Sequence, residues 1–208
     1  MRVIAGKFRS RTLNTLPGTE TRPTYDRLKE TLFSVLHSAN RLNDARFLDL
    51  FAGSGAIGIE AISRGAASAH FVENNRKAAR VIRENLQSLG IDDEATLLEC
   101  TVVEALRELD DTGAQFDLLF LDPPYAMQGA YLQTFRLLEA SSLLAPEAIV
   151  IAEHEKRFDP GEGEGDLRRY RKLTQGESSL SFYRRENDSP LEVAELEAMF
   201  EDELVGMA

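Results

Sequence analysis

The hydrophobic positions of this chain change their period along its length, and each period predicts a different element. Between residues 26 and 38, apolar side chains recur every three or four residues, as on one face of a helix, at Leu28, Leu32, Val35 and Leu36. We therefore expect an amphipathic helix there, with Thr24 or Asp26 as its N-cap. Residues 1 to 15 combine small apolar clusters with alternating basic residues and predict a short β-hairpin.

From residue 46 onward, short apolar runs alternate with helical segments. The runs are RFLDLF, SAHFVE, ATLLEC, FDLLFLD and AIVIAEH, and each predicts a strand. Strands that alternate with helices indicate an α/β fold with a doubly wound, mostly parallel sheet of the Rossmann-like kind. Residues 167 to 186 alternate as a hairpin, which would add antiparallel strands at one edge.

Charge divides the 208 residues into three predicted segments: 1–45, 46–186 and 187–208. The first contains the predicted hairpin and helix and is basic, because residues 1 to 29 carry seven Lys or Arg against two acids. The second is the α/β domain. The third is an acidic tail with seven acids and no Lys or Arg, so residues 1 to 186 carry only −4 of the net −11. With a basic arm on an acidic body, the net charge does not exclude a polyanionic partner that binds the arm.

Composition excludes several classes of protein. No apolar run approaches the roughly 20 residues of a membrane span, and the N-terminus has no signal-peptide core. A single Cys100 and three scattered histidines predict neither a disulfide nor a metal site. His154, between two acids, is expected to be exposed. These features favour a soluble, metal-free protein of the cytoplasm.

A glycine-rich loop follows the first predicted strand. GSGAIG, residues 53 to 58, satisfies G-x-G-x-x-G between a strand and a helix, and Glu73 ends the next strand 20 residues after Gly53. In such sites the glycines let the backbone approach a nucleotide cofactor, and the acid accepts hydrogen bonds from the ribose. The pattern therefore predicts a nucleotide-cofactor site.

Asp49, inside the end of the first strand, distinguishes between cofactors. A carboxylate about 4 Å from a phosphate would cost on the order of 4 kcal/mol at an effective dielectric near 20, which opposes a dinucleotide. S-adenosylmethionine has an ammonium and a sulfonium instead, and an acid suits both. Asp49 can also cap the loop by accepting backbone hydrogen bonds, and the two roles are compatible. After the third strand, Thr101 and Val102 occupy the adenine position, where an acid is usual.

The segment LFLDPPYA ends a buried strand at the edge where open parallel sheets bind ligands. Pro123 and Pro124 cannot donate backbone hydrogen bonds, so we expect their carbonyl oxygens to remain unpaired and point outward. With the Asp122 carboxylate and the Tyr125 ring, this set suits a planar base that bears an exocyclic amine. The alternative is a plain strand-ending turn with a core tyrosine.

Three motifs, DLFAGSGAIG, FVENN and LDPPY, resemble those of the class I, Rossmann-like methyltransferases that act on exocyclic amino groups. RVIAGKFRSRTL and RPTYDRLKETLFSVL, near the N-terminus, narrow the resemblance to the bacterial 16S rRNA (guanine(966)-N2)-methyltransferases. The resemblance extends from about residue 1 to residue 185. It implies a methyltransferase domain over 46–186 and S-adenosylmethionine as cofactor.

The resemblance also implies roles for individual residues. The cofactor would be bound by Thr24, Asp49, Gly53, Ser54, Gly55, Gly58, Glu73, Asn74, Thr101, Val102 and Asp122. The guanine amino group would be held by Asp122, Pro123 and Tyr125, and RNA would be contacted by Lys7, Arg9, Arg11 and Arg22. The expected partner is 16S rRNA in the small ribosomal subunit or an assembly intermediate, and the expected state is a monomer.

Two other functions are compatible with the same residues. An adenine-N6 methyltransferase on RNA or DNA shares the amine geometry, although the short N-terminal arm is smaller than the usual DNA-reading insert. A non-catalytic RNA-binding factor stabilised by the cofactor is disfavoured by the intact LDPPY. The acidic tail is interpreted as a solvated extension, with partner binding as the alternative.

Overall fold

The computed structural model describes residues 1–16 and 23–187, with the backbone alone at 23–26. The helices are α1 (Pro23–Ser38), α2 (Ala56–Ser63), α3 (Arg76–Leu89), α4 (Val102–Asp111) and α5 (Gly129–Glu139), with a 3-10 turn at Tyr125–Met127. The strands are β1 (Arg46–Leu50), β2 (Ser68–Val72), β3 (Ala95–Leu98), β4 (Phe116–Leu121), β5 (Leu144–Glu155), β6 (Gly163–Glu164), β7 (Leu167–Gln175) and β8 (Ser178–Arg185).

All eight strands form one sheet in the order β3-β2-β1-β4-β5-β8-β7-β6. The pairs from β3 to β5 are parallel, and the pairs from β5 to β6 are antiparallel. The predicted fold class is therefore confirmed. The strand order reverses between β1 and β4, and ligands of open α/β sheets bind at the carboxyl ends of strands beside such a reversal.

The sheet is covered on both faces. Phe47 and Leu48 are neighbours in β1 and both have no exposed surface, yet they belong to different hydrophobic clusters. We call these clusters the first core layer, which includes Phe47, and the second core layer, which includes Leu48. Because successive strand residues point to opposite faces, a strand buried on both sides is a continuous apolar run. None of the helices in the described part of the chain is long and apolar enough to cross a membrane.

The N-terminal segment folds back on itself, as predicted, but forms only a single bridge between Arg2 and Thr12 instead of a ladder. Val3 and Leu13 from this segment are buried in the first core layer together with residues of α1 and the sheet. The arm is therefore anchored by apolar packing on the α/β domain.

Glu60 of α2 fastens the arm to the domain. Its buried carboxylate accepts hydrogen bonds from the backbone N–H of Ile4 (2.8 Å) and of Ala5 (2.9 Å). It also pairs with Arg64 at 2.7 Å and with Lys29 at 3.4 Å. Buried acids require such partners, because an unpaired charge in the interior is costly. Two cations and two amides thus stabilise one carboxylate and fix the position of the arm.

Several sequence predictions need correction or lie outside the description. α1 begins at Pro23, so Thr24 and Asp26 lie inside its first turn and not at the N-cap. His154 is buried, not exposed: strand β8 covers it, and its ring nitrogens lie 2.9 Å from Ser181 Oγ and from the Glu155 carbonyl. The acidic tail beyond residue 187 and the predicted RNA contact Arg22 lie outside the described residues.

Candidate active site

The loop from β1 to α2 has an unusual backbone. Phe51, Gly53 and Gly55 all have positive φ, at 66°, 56° and 77°. Positive φ is costly for a side chain such as that of Phe51, and strain of this kind concentrates at functional sites. A Cβ built on Gly53 would meet no atom within 4 Å, so the loop backbone is open on that side. The loop can therefore be approached closely by a ligand.

Gly58 serves packing, the role of the third glycine in such loops. A Cβ at this position would lie 2.4 Å from Cε1 of Phe71, a core residue of β2 with no exposed surface. Only a glycine therefore lets α2 pack this closely against the sheet.

Gly58→Ala is expected to lower the free energy of unfolding by about 1–3 kcal/mol, because Phe71 or α2 must shift to admit the methyl group. Urea denaturation of the two proteins measures the difference. Gly129→Ala in α5 is the matched control, since a Cβ there meets nothing within 4 Å and alanine favours helices. An unchanged urea midpoint for Gly58→Ala would contradict the close packing of α2 on Phe71.

Asp49 lies under the loop and is buried. Its Oδ2 accepts a hydrogen bond from the Gly58 N–H at 3.0 Å, so it caps the loop as one of its two predicted roles requires. Burial raises the pKa of Asp49 from 3.8 to about 8; the negative charges of Asp122 and Glu73 add to this rise, and the Gly58 hydrogen bond opposes it. A cation bound nearby would favour the ionised carboxylate, and a phosphate would not.

Glu73, after β2, connects the loop to α3. One carboxylate oxygen accepts from the Gly53 N–H at 2.8 Å and the other from the Asn75 N–H at 2.7 Å. A carboxylate has further lone pairs, so these bonds leave capacity for the hydroxyl groups of a ribose. Asn75 caps α3, whereas Asn74, the predicted ligand contact, is exposed beside Glu73.

Asn85 supports the loop and was not predicted. It is 1% exposed, and its Nδ2 donates to the Ser54 carbonyl at 3.0 Å and to the Asn14 carbonyl at 3.1 Å. Its Oδ1 accepts from the Asn14 N–H at 2.7 Å. The sequence did contain a signal, because Asn85 falls three residues after Ile82 on the apolar face of α3. This one amide joins the cofactor loop to the basic arm.

Thr101 forms a capping box at the start of α4. Its hydroxyl accepts from the Glu104 N–H at 3.3 Å, and its own N–H donates to Glu104 Oε2 at 2.9 Å. Val102 is half-buried and packs on the second core layer. The predicted adenine contact at these residues stays a prediction, and one through the Thr101 N–H would have to open the capping box.

Asp122 and Pro123 follow β4 directly. The Asp122 side chain is half-buried, and burial raises its pKa from 3.8 to about 7. The expectation that both proline carbonyls are unpaired is wrong for Pro124, whose oxygen accepts from the Met127 N–H at 2.7 Å and so begins the 3-10 turn. Pro123 is buried and remains the predicted carbonyl acceptor.

Tyr125 begins the 3-10 turn and is 64% exposed, so the alternative of a core tyrosine is excluded. Met127 and Leu132 lie close in sequence and are also exposed large apolar side chains. Exposed apolar patches mark ligand-binding or protein-binding surfaces. The rim beside Asp122 therefore offers an aromatic face to a ligand.

The predicted RNA contacts of the arm lie on its surface. Lys7 pairs with Glu94 at 2.8 Å, and Arg11 donates to the Ser88 carbonyl at 2.8 Å. Arg9 is exposed. An exposed ion pair or an exposed hydrogen bond contributes little, so Lys7 and Arg11 can exchange these partners for phosphates at small cost.

Comparison with known proteins matches this arrangement to one family. The sequence model of the family described as "Conserved hypothetical protein 95" covers residues 1–184. The chain belongs to this family. The chain is 34% identical over 186 residues to the Ribosomal RNA small subunit methyltransferase D of Escherichia coli K12, covering 89% of this chain and 90% of that protein.

Other relatives agree. The enzyme of the same name from Haemophilus influenzae is 38% identical over 157 residues, 75% of this chain and 79% of its own length. A solved structure of a hypothetical protein from Thermus thermophilus matches with a TM-score of 0.74 and 32% identity, covering 88% of this chain and 98% of that one. The protein is thus a methyltransferase with the fold of this family, as the resemblance predicted.

Proposed function

We propose that this protein transfers a methyl group to the exocyclic N2 of one guanine in 16S ribosomal RNA. The observation that carries the proposal is the position of Asp122, Pro123 and Tyr125 at the end of β4, next to the glycine loop at the end of β1. The printed names of the relatives support small-subunit ribosomal RNA as the substrate. Methylation of this RNA is the function, and guanine N2 is its proposed target.

S-adenosylmethionine is the cofactor, and the residues present fit it. The open backbone at Gly53 admits a ligand, and the buried Asp49 suits the ammonium group of its methionine part. Glu73 has the acceptor capacity for its ribose. When bound, this cofactor supplies a methyl group on a positively charged sulfur.

Asp122 and the Pro123 carbonyl hold the target amine. The lone pair of an exocyclic amine is delocalised into its ring, which makes the nitrogen a weak nucleophile. Two acceptors, one for each N–H, favour a pyramidal nitrogen whose lone pair is more available. Transfer then depends mostly on position and alignment, for which a rigid Asp-Pro-Pro segment is well suited.

Asp122 also takes the proton that the amine loses. Burial raises its pKa above that of an ordinary aspartate, so the ionised carboxylate binds a proton more tightly. A base with a pKa close to the working pH is the most effective proton acceptor.

Tyr125 and the arm contact the RNA. A base has to leave its stack to reach Asp122, and the exposed ring of Tyr125 offers a surface on which it can stack again. Lys7, Arg9 and Arg11 complete the proposed contacts, together with Arg22 for the RNA and Thr24 for the cofactor, as the family resemblance implies. Binding should weaken as salt rises, because phosphate contacts release counterions. The protein acts as a monomer in the cytoplasm, on the small subunit or an assembly intermediate, and the segment 1–45 serves as its RNA-facing part.

Labelled methyl transfer from S-adenosylmethionine tests the proposal with three substrates side by side: small subunits that lack the modification, naked 16S RNA and duplex DNA. We expect label in a ribosomal sample, recovered as N2-methylguanine after digestion. Recovery as N6-methyladenine, or label in DNA alone, would keep the enzyme class and overturn the target. Cofactor binding without any transfer would favour an RNA-binding factor.

A further inference from the structure

A second acid lies beside Asp122 and has no part in the mechanism above. Leu121 of β4 is in register with Ala152 of β5, so the residues that follow them, Asp122 and Glu153, are also neighbours. Glu153 is 8% exposed. Two acids side by side repel each other, and burial together with the charge of the half-buried Asp122 raises the pKa of Glu153 well above its usual value.

The Glu153 side chain points to the same face of the sheet as Asp122. Leu121 and Ala152 both belong to the second core layer, so the next residue of each strand points the other way. The partner of Glu153 on β8 is Leu180, which belongs to the first core layer and confirms this direction. Both carboxylates therefore open on the same face, at the end of β4.

The strand order places this acid on the substrate side of the site. The loop after β1 and Glu73 after β2 form the cofactor half, toward β3, whereas β5 lies on the other side of β4. β5 also continues to Glu155, beyond the end of β4, so Glu153 lies beside Asp122 where β4 ends. Among the described residues, the Glu153 carboxylate forms no hydrogen bond or ion pair, and its oxygens are not buried atoms without a partner, so they keep contact with solvent. The carboxylate can therefore accept hydrogen bonds from a ligand.

We propose that Glu153 selects guanine by accepting a hydrogen bond from its N1–H, beside the N2 amine held by Asp122. This inference rests on the proposed function and adds a specificity residue to it. Guanine presents three hydrogens on one edge, two on N2 and one on N1, and so suits two adjacent carboxylates. In adenine and cytosine, the ring nitrogen next to the amine is an acceptor, and its lone pair would face the Glu153 carboxylate. Because a protonated Glu153 could donate to that nitrogen, this discrimination operates where Glu153 is ionised. Unpaired acceptors of this kind give strong discrimination between bases.

The test compares guanine with 2-aminopurine at the target position of 16S RNA in reconstituted small subunits. 2-Aminopurine keeps the 2-amino group but has a lone pair at N1. We expect wild-type kcat/KM to favour guanine by about 100-fold or more. In Glu153→Gln the side-chain amide can turn and donate to N1, so the preference should fall at least tenfold, mostly through a gain on 2-aminopurine. 2-Aminopurine also lacks the O6 of guanine, and this difference is the same for wild type and variant. A change between them in the ratio of kcat/KM for guanine to kcat/KM for 2-aminopurine therefore reports on N1.

Glu155→Gln is the matched control, because Glu155 is an exposed acid two residues further along β5 and should keep the wild-type preference. Equal losses on both bases in Glu153→Gln, or an unchanged preference, would overturn the role of Glu153 and leave the proposed function intact. Wild-type protein that methylates 2-aminopurine as well as guanine would overturn the role without any variant. Wild-type protein that does not methylate guanine at all would overturn both proposals.

Discussion

Asp122→Ala is expected to lower kcat for methyl transfer by about 10³-fold, since the variant loses both the acceptor that holds the amine and the group that takes its proton. The KM for S-adenosylmethionine should change much less, because the glycine loop and Glu73 remain. Single-turnover transfer of labelled methyl to unmodified small subunits measures the rate. Transfer at the wild-type rate would show that Asp122 has no part in the reaction.

Asp122→Asn separates the two roles of this residue. Its amide oxygen still accepts one hydrogen bond but cannot take a proton, so we expect activity between that of Asp122→Ala and wild type. The wild-type rate should fall as pH drops below about 7, where Asp122 becomes protonated. Because Asp122 and Glu153 are neighbours, the measured value belongs to the pair. A flat wild-type profile between pH 5 and 8 would rule out proton transfer to this carboxylate.

Asp49→Asn is expected to stabilise the protein and to weaken cofactor binding. The raised pKa means that the folded state binds this proton more tightly than the unfolded state, so ionisation of Asp49 destabilises the fold as pH rises from about 4 to about 8. A neutral side chain of the same shape removes this cost and keeps the Gly58 hydrogen bond. We expect a gain of about 1–3 kcal/mol in the free energy of unfolding at pH 8, reduced by the new amide donor that needs a partner.

Binding measurements complete this prediction. The cofactor ammonium would lower the pKa of Asp49 again, so binding to wild type at pH 7 should release a proton, which calorimetry in buffers of different ionisation enthalpy detects. Asp49→Asn should bind the cofactor at least tenfold more weakly and release fewer protons. Greater stability with unchanged affinity would leave Asp49 the role of a loop cap alone.

The sequence predicted most of the elements because their signals are local. Alternating and helical periods marked the five parallel strands and the edge hairpin to within a few residues. Among the strands of the described residues, the two-residue β6 alone had no signal. The predicted N-caps Thr24 and Asp26 placed the start of α1 too late. Both residue types are common at the N-cap, but the helix begins at Pro23, and proline is favoured at the first helical position.

The sequence predicted the position of candidate site residues where they belong to a motif with a fixed place relative to a strand end. Glu73 and Asp122 follow β2 and β4 directly, the glycine loop follows β1, and the carboxyl ends of parallel strands meet at one edge. The pairing of the Pro124 carbonyl was not predicted, because a 3-10 turn depends on backbone angles that the sequence does not reveal.

The sequence by itself therefore determined the order of the elements along the chain, the glycine loop and the acids at the strand ends. Only the tertiary structure decided which polar side chains are buried and which groups they contact. The examples are Glu60 under the arm, Asn85 against the loop, His154 beneath β8 and Glu153 next to Asp122. Each of these depends on contacts between residues far apart in the chain. Local periodicity reports which face of an element is apolar, but sheet register and helix docking set which charged or polar group meets another.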